Sequence, residues 1–109
     1  MTTQSTKNSI LTLSVPASVI AAGGTQFYEI DASSAAVTVK LPAPVAGAVA
    51  TFFAIDATNA VTISATTAGT INGSSSESIS LENAGDAIAL IAHSATDWRY
   101  LNISTTNLS

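Results

Sequence analysis

Between Ala36 and Ile103 the chain is a succession of short runs in which apolar and polar residues alternate, separated by clusters of Ala, Ser, Thr, Gly and Asn. Val37, Val39 and Leu41 share one side of a period-2 pattern and Thr38 and Lys40 the other, which predicts a strand. Pro42 and Pro44 end it, because neither can donate to a ladder. Val49 to Asp56 is the next run. Val49, Thr51, Phe53 and Ile55 lie on one side, and Ala50, Phe52, Ala54 and Asp56 on the other. Both sides carry large apolar groups, so this strand is expected to be covered on both faces, with Phe52 or Phe53 packed between sheets or between subunits.

After a turn at Asp56–Asn59, Val61 and Ile63 mark a short strand, and Ile79 and Leu81 mark another. Ala87 to His93 is mostly apolar and reads as a central strand. Trp98, Tyr100 and Asn102 alternate with Arg99, Leu101 and Ile103 in the last one. Toward the N-terminus, Ile10–Val15 reads as a strand ended by Pro16, Ala21–Gly24 as a turn and Phe27–Asp31 as a strand. Asn72-Gly73 predicts a tight two-residue turn of type I′, which needs positive φ at both residues. Ala36-Val-Thr-Val39 is echoed by Ala60-Val-Thr-Ile63, and Ala48-Val-Ala50 by Ala87-Ile-Ala89, too little to establish a repeat. β-Branched residues and Ser/Thr dominate, which disfavours a long helix. Turn signals at roughly 8–12-residue intervals are the mark of a small all-β fold, here expected to be a β-sandwich or β-prism. The expected organisation is a polar arm over 1–9, one all-β domain over 10–103 and a polar tail over 104–109.

Composition changes this picture in one respect. Ala, Ser and Thr make up nearly half of the 109 residues, so the core has few large side chains to fill it. A small domain of this kind gains by burying surface between subunits, and a homotrimer is the expected assembly. Charged residues are only 9% of the chain, against about 25% in an ordinary globular protein. With Lys7, Lys40 and Arg99 as the only cations and a net charge of -4, there is no basic stripe to displace counterions from phosphates, and nucleic acid is not an expected partner. No apolar run is long enough for a membrane span. The absence of cysteine excludes disulfides and thiolate metal sites. Lys7, the apolar run at Ile10–Val15 and Ala21-Ala22-Gly23 outline a signal peptide, but the alternation of Leu11, Leu13 and Val15 fits a strand better.

Candidate chemistry is sparse. Asp97-Trp98-Arg99-Tyr100 is the one cluster with binding character, since aromatic faces stack on sugar rings and the two charged groups supply hydrogen bonds. The same residues equally suit a final strand whose Trp98 and Tyr100 fill the edge of the core. His93 is the sole histidine and reads as a hydrogen-bonded or solvated residue at a strand end. Neither a triad nor a calcium loop can be assembled around these groups. Glu82, Asp86 and Asp56 lie at turns, where carboxylates cap backbone amides. Nothing implies a cofactor, a metal or an enzyme. Thr2, Thr3, Gln4, Ser5, Thr6 and Lys7, in the polar arm, are the candidate attachment segment.

The succession Ala36-Val-Thr-Val-Lys-Leu-Pro42, Ala50-Thr-Phe-Phe-Ala-Ile-Asp56, Asn59-Ala-Val-Thr-Ile63, Gly69-Thr-Ile-Asn-Gly73, Ser78-Ile-Ser-Leu81, Gly85-Asp-Ala-Ile-Ala-Leu-Ile91 and Asp97-Trp-Arg-Tyr-Leu101 resembles the small trimeric β-modules of tailed-bacteriophage head-decoration proteins, head fibres and tail fibres. The resemblance is one of segment layout and covers about two thirds of the chain. It implies a structural protein on the virion surface, whose partners are its own copies and the major capsid protein or other virion proteins. Within that class, capsid decoration as a cement protein or head fibre is the first expectation, because no long shaft or coiled coil precedes the β-segments. The alternative is a tail-fibre or adhesin module that recognises host surface glycans.

Overall fold

The computed structural model describes residues 10–19, 24–66 and 69–103. Within them every regular element is a strand: β1 (Ile10–Leu13), β2 (Ala17–Val19), β3 (Thr25–Asp31), β4 (Val37–Leu41), β5 (Val49–Asp56), β6 (Val61–Ala65), β7 (Thr70–Ile71), β8 (Ser78–Ser80), β9 (Ala87–Ala92) and β10 (Asp97–Ile103). The chain is therefore all-β, as the alternation implies. The expected arm and tail, and Ala21 to Gly23 of the turn expected at Ala21–Gly24, lie outside the described residues.

Ten strands form two sheets, one of six strands in the order β1-β3-β5-β9-β10-β7 and one of four in the order β2-β4-β6-β8. Successive strands from β1 to β6 alternate between the sheets, and each of β1 to β4 pairs in parallel with the strand two places on. The chain thus winds as a coil, laying one strand of each turn on each sheet. Val37 pairs with Val61 and Thr25 with Val49, so that 61 − 37 and 49 − 25 both give a 24-residue turn. The echo between Ala36–Val39 and Ala60–Ile63 is this turn of the coil. The other echo has a different meaning: β5 and β9 are antiparallel, with Val49 opposite Ile91 and Phe53 opposite Ala87.

The two turns of the coil are closed by the same local device. Asp31 Oδ1 accepts the amide of Ser33 at 3.0 Å, and Asp56 Oδ1 accepts that of Thr58 at 2.8 Å. A short side-chain acceptor two residues before the amide holds the chain as it leaves one sheet for the other. The turns also bond to each other, with the Ala32 amide on the Asp56 carbonyl and the Asn59 side-chain amide on the Ala32 carbonyl. After β6 the winding stops. β8 and β9 run antiparallel to β6 and β5, and β10 runs antiparallel to β9.

One apolar core lies on the inward faces of both sheets. Tyr28, Ile30, Ala50, Phe52, Ala54, Ile88 and Leu90 come from the larger sheet, and Val37, Val39, Leu41, Val61, Ile63 and Ile79 from the smaller. Period 2 dictates this partition, since a one-residue slip would turn every one of these side chains outward. Tyr28 and Phe52, opposite each other in register, stack with ring centroids 5.1 Å apart. Of the pair weighed in β5, Phe52 is fully buried between the sheets, while Phe53 points outward and is partly exposed.

Candidate functional site

Asp97 opens β10, at the corner where β7 joins the larger sheet in parallel. Its carboxylate is buried and is met by four donors. Thr70 Oγ1 at 2.6 Å and the Gly73 amide at 2.8 Å donate to Oδ1. Arg99 Nε at 2.5 Å donates to Oδ2, and His93 Nε2 lies 2.9 Å from the same oxygen. An ionised carboxylate has only acceptor sites, so the His93 proton faces Asp97. Burial pushes the Asp97 pKa up, but the bonds from Thr70, Gly73, His93 and Arg99 outweigh it and hold the carboxyl well below the usual range.

The turn that supplies one of these donors was legible as Asn72-Gly73. Its φ values are +55° and +81°, and Ile71 and Ser74 exchange backbone bonds across it at 3.0 and 3.1 Å. Arg99 Nη1 donates to Asn72 Oδ1 at 3.0 Å, so the arginine bridges turn and strand. The other three side chains of the predicted cluster divide between core and surface. Trp98 is 2% exposed, and its indole N–H donates to the Pro42 carbonyl at 3.2 Å. A ring so enclosed has no free face for a sugar. Tyr100 is partly buried and donates its hydroxyl to Glu77, just before β8. Burial, together with the hydrogen bond and charge of Glu77, raises the Tyr100 pKa far above its ordinary value. Arg99 is the exposed member.

Chemically this is a clasp. Asp97, Trp98 and Tyr100 fasten β10 to β7, to the loop after β4 and to the segment before β8 respectively. His93 is exposed just beyond β9 and forms part of the clasp through Asp97. Among the described residues, no group of three or more His, Cys, Asp or Glu is placed to hold a metal ion. Asp86 Oδ2 accepts the amides of Glu82 and Asn83, both at 3.1 Å, in the capping role that its turn position suggests. A groove of about 220 Å³ runs between the turn after β5 and the end of β8, lined by Thr58, Asn59, Thr62, Ser80 and Glu82 among others. Thr70 and the Gly73 amide were not singled out as partners of Asp97. Only the parallel β7–β10 pairing brings them together, and two residues of β7 carry too little periodicity to announce it. Residues Thr2 to Lys7, the candidate attachment segment, lie outside the described residues.

No family model matches the chain, and no curated protein matches it.

Proposed function

We propose that this chain is a bacteriophage virion structural protein, carried on the particle surface as a homotrimer, with capsid decoration as its role. The observation that carries the choice is the fate of β10. Its Asp, Trp and Tyr are spent on fastening strands together, and a glycan-reading module needs such aromatic faces open to the ligand. A cement protein or head fibre needs instead a rigid body that binds its own copies and a shell. The two-sheet coil, read as a small β-sandwich assembled in threes, suits that task, and a domain of this size gains from burial between subunits. The mechanism is passive: subunit burial, clamping by the polar arm and reinforcement of the shell.

Immunoelectron microscopy tests this reading, using an antibody raised against the purified chain and particles released by cells that encode it. Label spread over the head lattice is the expected result. Label confined to the tail tip would move the assignment to receptor binding, and unlabelled particles would remove it from the virion. Deleting Thr2 to Ser9 is expected to leave the thermal melt unchanged and to lower occupancy on particles. Full occupancy of the truncated chain would place attachment in the β-body.

A further inference from the structure

An asparagine that precedes glycine carries a chemistry of its own. The backbone nitrogen of the next residue attacks the side-chain carbonyl carbon, and glycine puts no Cβ in its way. Of the six asparagines in the chain, only Asn72 precedes glycine. Both residues of this turn are exposed, so water reaches the peptide. Yet each group the reaction needs is held. The Gly73 amide, source of the nucleophile, donates to Asp97 Oδ1 at 2.8 Å. Asn72 Oδ1, on the carbon to be attacked, accepts Arg99 Nη1 at 3.0 Å. The Asn72 amide donates to the Trp98 carbonyl at 2.7 Å, and Ile71 and Ser74 close the turn by exchanging backbone bonds.

We propose that Asn72-Gly73 is a latent deamidation site, and that Asp97 keeps it closed while the corner between β7 and β10 is folded. The step balances with water alone. The Gly73 amide gives up its proton, its nitrogen bonds to Asn72 Cγ, and the side-chain nitrogen leaves as ammonia. Water then opens the cyclic imide at either carbonyl, giving aspartate at position 72 or the isoaspartyl form, whose backbone runs through Cβ and Cγ. Asp97 blocks the first event. A hydrogen bond to an ionised carboxylate favours the protonated nitrogen, since the deprotonated one would face a second negative charge. That bond must also break before the nitrogen turns toward Cγ. Arg99 acts in the opposite sense. Its guanidinium polarises the Asn72 carbonyl and prepares the carbon for attack. The corner is thus primed by a cation and restrained by a carboxylate. Release is one-way. The isoaspartyl form adds a carbon to the backbone inside the two-residue turn, so Ile71 and Ser74 no longer meet across it. A chain that has opened here is permanently marked, with the two-residue β7 unfastened.

The full chain is incubated at neutral pH, folded or in guanidinium chloride. Modification is read by isoelectric focusing, located by peptide mass spectrometry and separated chromatographically into its two forms. The folded wild type is expected to react at Asn72 slower by about tenfold or more than the unfolded chain, as for a site reached only by local opening. Asp97→Ala is expected to react faster than its unfolded fraction, measured by denaturant unfolding, accounts for. Asp97→Asn keeps an acceptor facing Gly73 without the charge. Its rate is expected to fall between, and it carries the test should Asp97→Ala not fold. Equal rates in folded and unfolded wild type would overturn the protection. So would variants whose rates merely track their unfolded fractions, the behaviour of a residue that only stabilises the fold. An Asn72 that stays intact in the unfolded chain would overturn the site itself.

Discussion

Asp97 is met by four donors, and its removal should be felt accordingly. Asp97→Ala leaves the Gly73 amide and Arg99 Nε without their acceptor, and Thr70 Oγ1 with only the Thr96 carbonyl at 3.1 Å. A loss of about 2–3 kcal/mol is expected, the range for hydrogen bonds to a charged group, read by urea unfolding. The pH dependence has a definite sign. A carboxyl whose folded pKa is depressed contributes stability that is complete above its unfolded value, near 3.9, and is lost as pH falls toward the folded one. The gap in melting temperature between wild type and Asp97→Asn should therefore narrow from pH 5 to pH 2. A constant gap would mean that the charge on Asp97 does not matter to the clasp. Trp98→Ala is expected to cost about 3–5 kcal/mol, as for a large aromatic removed from a core. A Trp98→Ala protein that melts like wild type but loses binding to glycans or cells would revive the receptor reading.

At the scale of elements, the Asn72-Gly73 turn is the sharpest test of local rules. A Cβ at Gly73 meets nothing closer than Arg99 Nη2 at 3.7 Å, so the cost of Gly73→Val comes from φ +81° and not from a clash. A loss of about 1–2 kcal/mol or more is expected for a β-branched residue in that region, and an unchanged melt would argue against the turn. This turn was legible because its two residues carry their own conformational demand. β4 and β10 were legible for a similar reason, since their alternating residues declare two sides, whereas β5 and β9 were legible as strands but, apolar on both sides, did not declare which side faces inward. β2 was not, since Ala17-Ser-Val19 has three residues and no large apolar pair. The coil itself hid behind small side chains. The 24-residue turn leaves only the Val-Thr-Val and Val-Thr-Ile echo, while a bulge near Ile30/Asp31 and unlike loop lengths blur the rest. Asp97 was singled out by its neighbours in sequence, and His93 and Arg99 are indeed local partners, but Thr70 and Gly73 are joined to it only through the β7–β10 pairing.

For the molecule as a whole, a coil of short strands winds around one core in which large aliphatic and aromatic side chains outnumber alanine. The β10 clasp locks the end of the coil. On the proposed reading, the chain gains further stability by packing on its own copies. Sedimentation equilibrium of the purified full chain at micromolar concentration tests that claim most directly. The account expects a single folded species at three times the chain mass of 10.9 kDa. A stable, folded species at 10.9 kDa would contradict it.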